Sequence, residues 1–455
     1  MNRFSRREFF GRFTQVGLGW AAGMTVLANA ASAWAAPAND KVTLGFIGVG
    51  GRGSFLCDGF ASRSDCRVAW VADVEPQRAE RIAASVTRKH QGQTPKVVHD
   101  FRTMLDRKDL DAVVIATPEH WHALATIWAV QAGKDVYVEK CVSRHVEEGR
   151  KMVEAARKYG RIVQAGTQHR SGPYAAAARR YIRDGKLGEI YYVKVCNMLP
   201  SVYGGYPQTK MANVAPPKRF DWDQWLGPAP ERPYSAQVHR NWYGYWDFSG
   251  GNASDAIHQL DLARMMLGDP PHPNRVQCVG GRWRYADGGQ MPDVQIITYQ
   301  WDKLAMSLEN TGFSPVQVKT PTKIPGDAAM PNWLQSSTRI ELYGTKGTMY
   351  LGRHFLGWQV LVPGSKIAAE QFEQDLTRAH FQNFVDCIRS RRPCNADIAV
   401  AHSGACLEHL ANISHRLGNR KLVFDPKNER FVGDEEANRH LKAAGRRQYH
   451  LPASV

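Results

Sequence analysis

Residues Gly48, Val49, Gly50, Gly51, Arg52 and Gly53 fit G-x-G-x-x-G, and their surroundings give the pattern its chemistry. They follow directly on the apolar run 42–47 and open a predicted helix over 54–61. A second predicted strand, 66–72, then ends at Asp73, 20 residues beyond Gly53. In such a turn Gly48 makes the bend, Gly50 lets a pyrophosphate approach the backbone, and Gly53 lets the helix pack closely on the sheet. The helix N-terminus offers unpaired N–H groups and a positive dipole to phosphate. A carboxylate at Asp73 accepts both ribose hydroxyls and repels a 2′-phosphate, so the expected ligand is NAD. Arg78, five residues on, keeps NADP possible.

Strands and helices go on alternating beyond this unit. Helices are predicted at 76–89, 101–105, 122–131 and 146–159, and strands at 97–98, 112–116, 135–138 and 162–165. Such alternation implies right-handed crossovers and a parallel sheet whose ligands sit at the carboxyl ends of the strands. Thr117, Pro118, His122, Glu139 and Lys140 all fall at or just beyond that edge. A second constellation, Asp255, His258 and Asp261, lies on a predicted helix over 253–267. Residues three apart share a helical face, so Asp255 and His258 can point together into one pocket, with Asp261 continuing the stripe.

The glycine loop with Asp73, then Ala116-Thr117-Pro118 with His122 four residues after the proline, then Val138-Glu139-Lys140, then Gln164-Ala165-Gly166-Thr167-Gln168-His169-Arg170, closely resemble the Gfo/Idh/MocA (glucose-fructose oxidoreductase, inositol dehydrogenase) family. Gly185-Lys186-Leu187-Gly188-Glu189-Ile190, and Gly250-Gly251 leading to His258-Gln259-Leu260-Asp261, are similar to it as well. The resemblance covers nearly all of residues 40–430. It implies an α/β protein with an N-terminal doubly wound Rossmann sheet over 40–166 and a C-terminal α+β domain over 167–430. The second domain carries a large, mainly antiparallel open sheet, and a polar tail follows over 431–455. Candidate strands in the second half are 190–198, 276–284, 294–301, 304–309, 338–343, 348–351 and 358–362, with hairpin turns at 302–303 and 344–347. A proline- and aromatic-rich loop over 202–249 is expected above the site, and a final helix over 399–417.

The chemistry implied by the resemblance is hydride transfer between a sugar or polyol carbon and a nicotinamide. The hydroxyl proton must leave with the hydride, which calls for a base near the alcohol oxygen and a cation for the developing oxyanion. Lys140 is the candidate for one or both roles, beside the nicotinamide. Cys141 replaces the proline that usually follows, loosening the backbone constraint but not the lysine's chemistry. The family spacing D-x-x-x-H, with histidine as acid/base, is also shifted. Ser254 stands four residues before His258, and the aspartate, Asp255, three before. The expected catalytic set is Lys140, His258 and Asp255. The cofactor set is Gly48, Gly50, Gly53, Asp73, Thr117, Pro118, His122, Glu139, Lys140 and Gln168. Arg170, Asp255, His258 and Trp242 form the substrate set, while Trp222, Trp225, Tyr243, Tyr245 and Trp246 either stack on pyranose faces or pin their loop. No clustered His/Cys/carboxylate set is evident in the sequence, so no metal is expected.

At the N-terminus, Ser5, Arg6, Arg7, Glu8, Phe9 and Phe10 form a paired-arginine run. A weakly apolar stretch over 13–27 and small residues around Ala31, Ala33 and Ala35 follow it. Residues 1–33 therefore read as a twin-arginine export signal, and the protein as periplasmic and not stably inserted in a membrane. The length of 455 residues calls for more than one domain. A formal charge of +16 is scattered along the chain, which argues for a solvated basic surface and against a nucleic-acid partner. Eight cysteines without a C-x-x-C pair exclude a zinc ribbon or a thioredoxin-like couple, and export in the folded state means the fold does not depend on disulfides. The resemblance also implies a homo-oligomer, dimer or tetramer, pairing its open sheets.

Export and NAD together constrain mechanism. The periplasm holds no appreciable free NAD, so the cofactor is expected to stay bound and turnover to be redox-neutral. Oxidation of one sugar coupled to reduction of another satisfies that. So does an NAD-dependent glycoside hydrolase that oxidises transiently, eliminates, hydrates and returns the hydride. A non-catalytic sugar or NAD sensor is a third reading.

Overall fold

In the computed structural model, residues 41–199, 214–314, 316–317, 333–354, 356–373, 375–443, 445–446 and 448–455 are described. The paired-arginine run and its apolar stretch lie outside the described residues, as does 202–213 of the expected loop. Six strands, β1 (Val42–Ile47), β2 (Cys66–Ala72), β3 (Lys96–Val98), β4 (Ala112–Ile115), β5 (Asp135–Val138) and β6 (Val163–Ala165), form a wholly parallel sheet in the order β3-β2-β1-β4-β5-β6. Every residue of β1, β4 and β5 is buried, because helices cover both faces of these central strands. On one face Leu44, Phe46, Val114 and Tyr137 pack against Leu56 and Phe60 of the helix Gly51–Ala61. On the other, Val113, Ile115, Val136 and Val138 meet Leu124, Ile127 and Met152 from the helices His122–Gln131 and Val146–Lys158.

The second sheet has ten strands: β7 (Ile190–Met198), β8 (Arg275–Gly281), β9 (Val294–Gln300), β10 (Ala305–Thr311), β11 (Arg339–Gly344), β12 (Gly347–Gly352), β13 (Gly357–Val362), β14 (Lys366–Phe372), β15 (Leu422–Asp425) and β16 (Arg430–Phe431). Their order is β14-β13-β12-β11-β7-β10-β9-β8-β15-β16, antiparallel except where β10 pairs parallel with β7. Burial alternates along β9 and β10, since only one face is covered, chiefly by the helices Asn252–Met266 and Ile398–Arg416. The other face exposes Tyr192, Val279, Ile296, Tyr343 and Val423.

The chain departs from the sequence expectation in several places. The strand Lys366–Phe372 and the helices Pro173–Arg183 and Thr377–Ser390 lie where the sequence reading placed no element. The last of these sends Phe381 and Phe384 onto Phe60 and Tyr137, so a segment from the second half completes the core of the first sheet. The expected polar tail is docked: Tyr449 is buried edge-on to Trp121, and the Arg446 guanidinium donates to the Gly227 carbonyl. All eight cysteines are free and buried. Among the described residues no helix is long and apolar enough to cross a membrane.

Candidate active site

The carboxyl ends of β1, β2, β4, β5 and β6 open into one cavity of about 960 Å³, at the upper end of the roughly 300–1,000 Å³ of small-molecule sites. Gly48, Gly50, Asp73, Thr117, Pro118, Glu139, Lys140, Gln168, Trp242 and His258 line it. At the glycine loop, Gly48 has φ +80°, and a Cβ there would meet Thr117 N at 2.9 Å. A Cβ on Gly53 would sit 2.0 Å from Gly48 O, so this glycine serves close packing and does not itself line the cavity. Gly50 and Gly51 face open space, and no side chain caps the helix that starts at Gly51. Its first N–H groups are therefore available to a pyrophosphate. Asp73 accepts from Val49 N at 2.9 Å and Glu75 N at 2.9 Å, which fixes its carboxylate at the cavity wall. Arg78 also lines the wall, its guanidinium turned to Glu75 and 3.7 Å from Asp73. These residues fit a dinucleotide.

Glu139 is held by Arg52 at 2.7 Å, and Gln168 donates to the Tyr137 hydroxyl at 3.2 Å. Lys140 is the second residue beyond β5, and its peptide bond to Cys141 is cis. The ammonium donates to the Tyr243 hydroxyl at 3.3 Å and the Ser254 carbonyl at 3.2 Å, and lies 5.4 Å from the Tyr243 ring centre. His258 projects from the helix Asn252–Met266 with its Nδ1 buried and unpartnered. Burial, with the positive charges of Arg353 and Lys140, pushes the imidazole well below its ordinary value, so it is neutral at pH 7.

Geometry corrects three of the assignments made from sequence. Asp255 does not line the cavity; it is wholly buried and grips Arg353 in two-point contact at 2.8 and 3.0 Å. Burial would push its carboxyl up, but the Arg353 guanidinium outweighs that and holds it at about 2. Arg170 is likewise buried away from the cavity, donating to Asp261 at 2.8 Å and Asp269 at 2.6 Å, so Asp261 is its counter-ion. His122 also does not line the cavity. Its ring nitrogens lie 2.6 Å from the Cys141 carbonyl and 2.9 Å from the Thr117 carbonyl, clamping the β4 and β5 loops together. Gly53, the close-packing glycine of the motif, lies outside the lining.

Of the loop aromatics, Trp225, Trp242 and Tyr243 line the cavity, while Trp222, Tyr245 and Trp246 do not. A His/Cys/carboxylate cluster does form outside the cavity, contrary to the sequence reading: His272, His402, Cys406 and Glu429. The Glu429 carboxylate draws in His272 at 2.8 Å, His402 at 2.9 Å and the Arg150 fork. Cys406 Sγ is 3.7 and 3.8 Å from the two His402 ring nitrogens, hence not in line with either lone pair.

Sequence reasoning missed, among the lining residues, Glu119, His169 and Arg353, and it missed Tyr243 as the lysine's partner. The Glu119 carboxylate accepts from Ser254 Oγ and from Gly250 N at 3.1 Å. A carboxylate thus reaches, through space, the helix position where D-x-x-x-H would have placed one. His169 stands edge-on to His258 at 5.8 Å between ring centres, and burial pushes its pKa down to about 3. A polar pair following a strand end, as in Thr117-Pro118-Glu119 and Gln168-His169, was the available signal.

The chain matches the family model described as oxidoreductase family, NAD-binding Rossmann fold, over residues 42–167. It matches the oxidoreductase family C-terminal alpha/beta domain over residues 201–282 and 269–451. The chain belongs to the Gfo/Idh/MocA oxidoreductase family. Among its Gfo/Idh/MocA relatives, levoglucosan dehydrogenase of Pseudarthrobacter phenanthrenivorans is 30% identical over 170 residues, 37% of this chain and 36% of that protein. A glycosyl hydrolase family 109 protein of Shewanella sp. is 28% identical over 160 residues, 34% and 35% of the two chains. Both matches span about a third of the relative's own length. The scyllo-inositol 2-dehydrogenase (NAD(+)) of Bacillus subtilis is 26% identical over 348 residues, 73% and 82%. The WlbA dehydrogenase from Bordetella pertussis, solved with NADH and UDP-GlcNAcA, shares the fold with TM-score 0.60 at 20% identity, covering 85% of this chain and 99% of that one.

Proposed function

We propose that the protein is an NAD-dependent oxidoreductase that moves hydride between a secondary alcohol of a sugar, polyol or glycoside and a nicotinamide held tightly in the cavity. The observation that carries this reading is the presence, in one cavity, of the open glycine loop, Asp73, the Lys140 ammonium and neutral His258. Gly48, Gly50, Gly51, Asp73, Thr117, Pro118, Glu139 and Gln168 would hold the dinucleotide, which supplies the hydride acceptor and donor. Asp73, with Arg78 engaged by Glu75, favours NAD over NADP.

Lys140 stabilises the alkoxide that forms as the hydroxyl proton leaves, and Tyr243 and the Ser254 carbonyl aim its amine. His258, uncharged at pH 7, is placed to accept or donate a proton at its ring. Trp225 and Trp242 supply apolar faces for a sugar ring.

Residues 1–33 are proposed to export the protein folded around its cofactor to the periplasm, with turnover redox-neutral. The exposed face bearing Tyr192, Val279, Ile296 and Tyr343 is proposed to pair in a dimer or tetramer. The relative named as a family 109 glycosyl hydrolase favours one second reading, hydrolysis through transient oxidation. Purified protein is incubated, without added nucleotide, with aldose mixtures and with aryl glycosides. Lactone and polyol in equal amounts support sugar–sugar oxidoreduction, and free sugar with aglycone supports hydrolysis. No turnover of any sugar refutes both and leaves a sensor.

A further inference from the structure

Beneath the cavity floor lies a carboxyl group that the reaction described above does not use. Glu408, on the helix Ile398–Arg416, is wholly buried, and no N–H or O–H group reaches its oxygens; the Cys141 thiol lies against them. Its Oε1 is pressed on the Gly250 backbone: a Cβ on Gly250 would overlap it at 1.4 Å. The N–H of the same Gly250 donates to Glu119 Oε2 at 3.1 Å. Two carboxyl groups, one fully buried and one 1% exposed, thus flank a single glycine. Like charges placed so close and so dry do not both stay ionised.

Glu119 is also the end of a hydrogen-bonded path from the lysine. Lys140 Nζ donates to the Tyr243 hydroxyl at 3.3 Å. That hydroxyl bonds the Ser254 side chain, and Ser254 Oγ donates to Glu119 Oε1. With the Ser254 hydrogen given to Glu119, the Tyr243 hydroxyl is left to give its own to Ser254, so the three groups join the lysine to the carboxylate.

Resting on the oxidoreductase reading, we propose that Glu119 and Glu408 form a buried carboxyl pair that takes up and holds the proton leaving the substrate hydroxyl through Lys140. In the oxidative half-reaction a bound NAD would take the carbon-bound hydrogen with its electron pair, and the alcohol would become a carbonyl. The hydroxyl proton passes to Lys140 and, one transfer per link, becomes the O–H of Glu119. The pair goes from one proton to two, and the return half-reaction reverses every step. A redox-neutral cycle that keeps its hydride can keep the accompanying proton in the same way.

The groups around Glu408 agree with the resting state. Burial, then the charge of Glu119, raises its pKa to about 8, against opposing effects from Cys141, Arg144 and Lys140. His409 Nδ1, at 3.9 Å, belongs to an imidazole that burial keeps neutral, and the Tyr243 phenol is pushed well up by burial and Glu119. Glu408 therefore carries its proton at pH 7.

The test counts protons. Full-length protein with its bound nucleotide oxidised is mixed at pH 7, in weak buffer with an indicator dye, with D-glucose, D-xylose or myo-inositol, and NADH absorbance is followed alongside. Wild type is expected to release under about half a proton per NADH formed. Glu119→Gln, whose amide oxygen can still accept from Ser254 and Gly250 but which takes up no proton, is expected to release about one. One proton per NADH from both proteins overturns the proposal while leaving hydride transfer intact. No NADH from wild type with any of the three sinks the oxidoreductase reading, and the pair's role with it. Should Glu119→Gln not fold, infrared spectra of wild type decide: a protonated-carboxyl stretch that titrates away near pH 8 is expected, and its absence at pH 7 overturns the proposal.

Discussion

Replacing Asp255 by asparagine separates the geometric account from the motif. The carboxylate is fully buried, makes two charged hydrogen bonds to Arg353, and is absent from the cavity wall. The amide leaves the guanidinium buried and uncompensated, a defect that costs about 3–5 kcal/mol when one partner of a buried pair is removed. The sign with pH follows from the depressed carboxyl. A group at about 2 in the folded state against 3.8 unfolded contributes roughly 2–3 kcal/mol at neutral pH. That contribution is fully present above about pH 4 and is lost as pH falls through 2. Thermal unfolding of wild type and Asp255→Asn at pH 7 and at pH 3 measures both effects, with the variant less stable at pH 7 and the gap narrowing at pH 3. Bound nucleotide and turnover are measured on the folded fraction, where Arg353, which lines the cavity, is expected to have shifted and raised KM more than it lowers kcat. An Asp255→Asn protein with unchanged stability and nucleotide content but abolished kcat refutes this reasoning and restores the aspartate to the chemistry.

Three further outcomes follow from the same geometry. Gly53→Ala forces a Cβ to 2.0 Å from Gly48 O, so the protein should either fail to fold or release less than stoichiometric nucleotide on denaturation, read by absorbance of the supernatant. Asp73→Ser removes the carboxylate that excludes a 2′-phosphate, and the ratio of NAD to NADP affinity, read by fluorescence titration of stripped protein, should fall by about tenfold or more, an amount equal to about 1.4 kcal/mol. Cys141 is buried and its thiol pushed well up by burial and Glu408, so it should resist alkylation in native protein at pH 8 and react only after denaturation, as mass spectrometry of the peptide would show.

The nucleotide half was legible because its signals are local. A run such as Val42–Ile47 ending in glycines is strand and loop within twelve residues, and Asp73 follows from the next strand's end. The i, i+3 rule placed Asp255 and His258 on one helix correctly, yet could not see that Arg353, 98 residues away after β12, claims the aspartate. Arg170 was lost to Asp261 in the same way, across 91 residues. Glu119 was hidden by its neighbours: Thr117 and Pro118 looked like the cofactor edge, and only the fold brings Ser254 and Gly250 to it. The helix Thr377–Ser390 went unread because its apolar face, Phe381, Phe384 and Val385, answers a sheet more than 200 residues earlier.

The central claim is that Lys140 faces a nicotinamide bound by the Gly48–Gly53 loop. Rapid mixing of wild type and Lys140→Met, each carrying its copurified nucleotide, with the sugar that wild type turns over measures it directly. Equal nucleotide content and hydride transfer slower by about 10²–10⁴-fold in the variant is the result expected of a lost acid/base group. Wild-type transfer rates from Lys140→Met would contradict it.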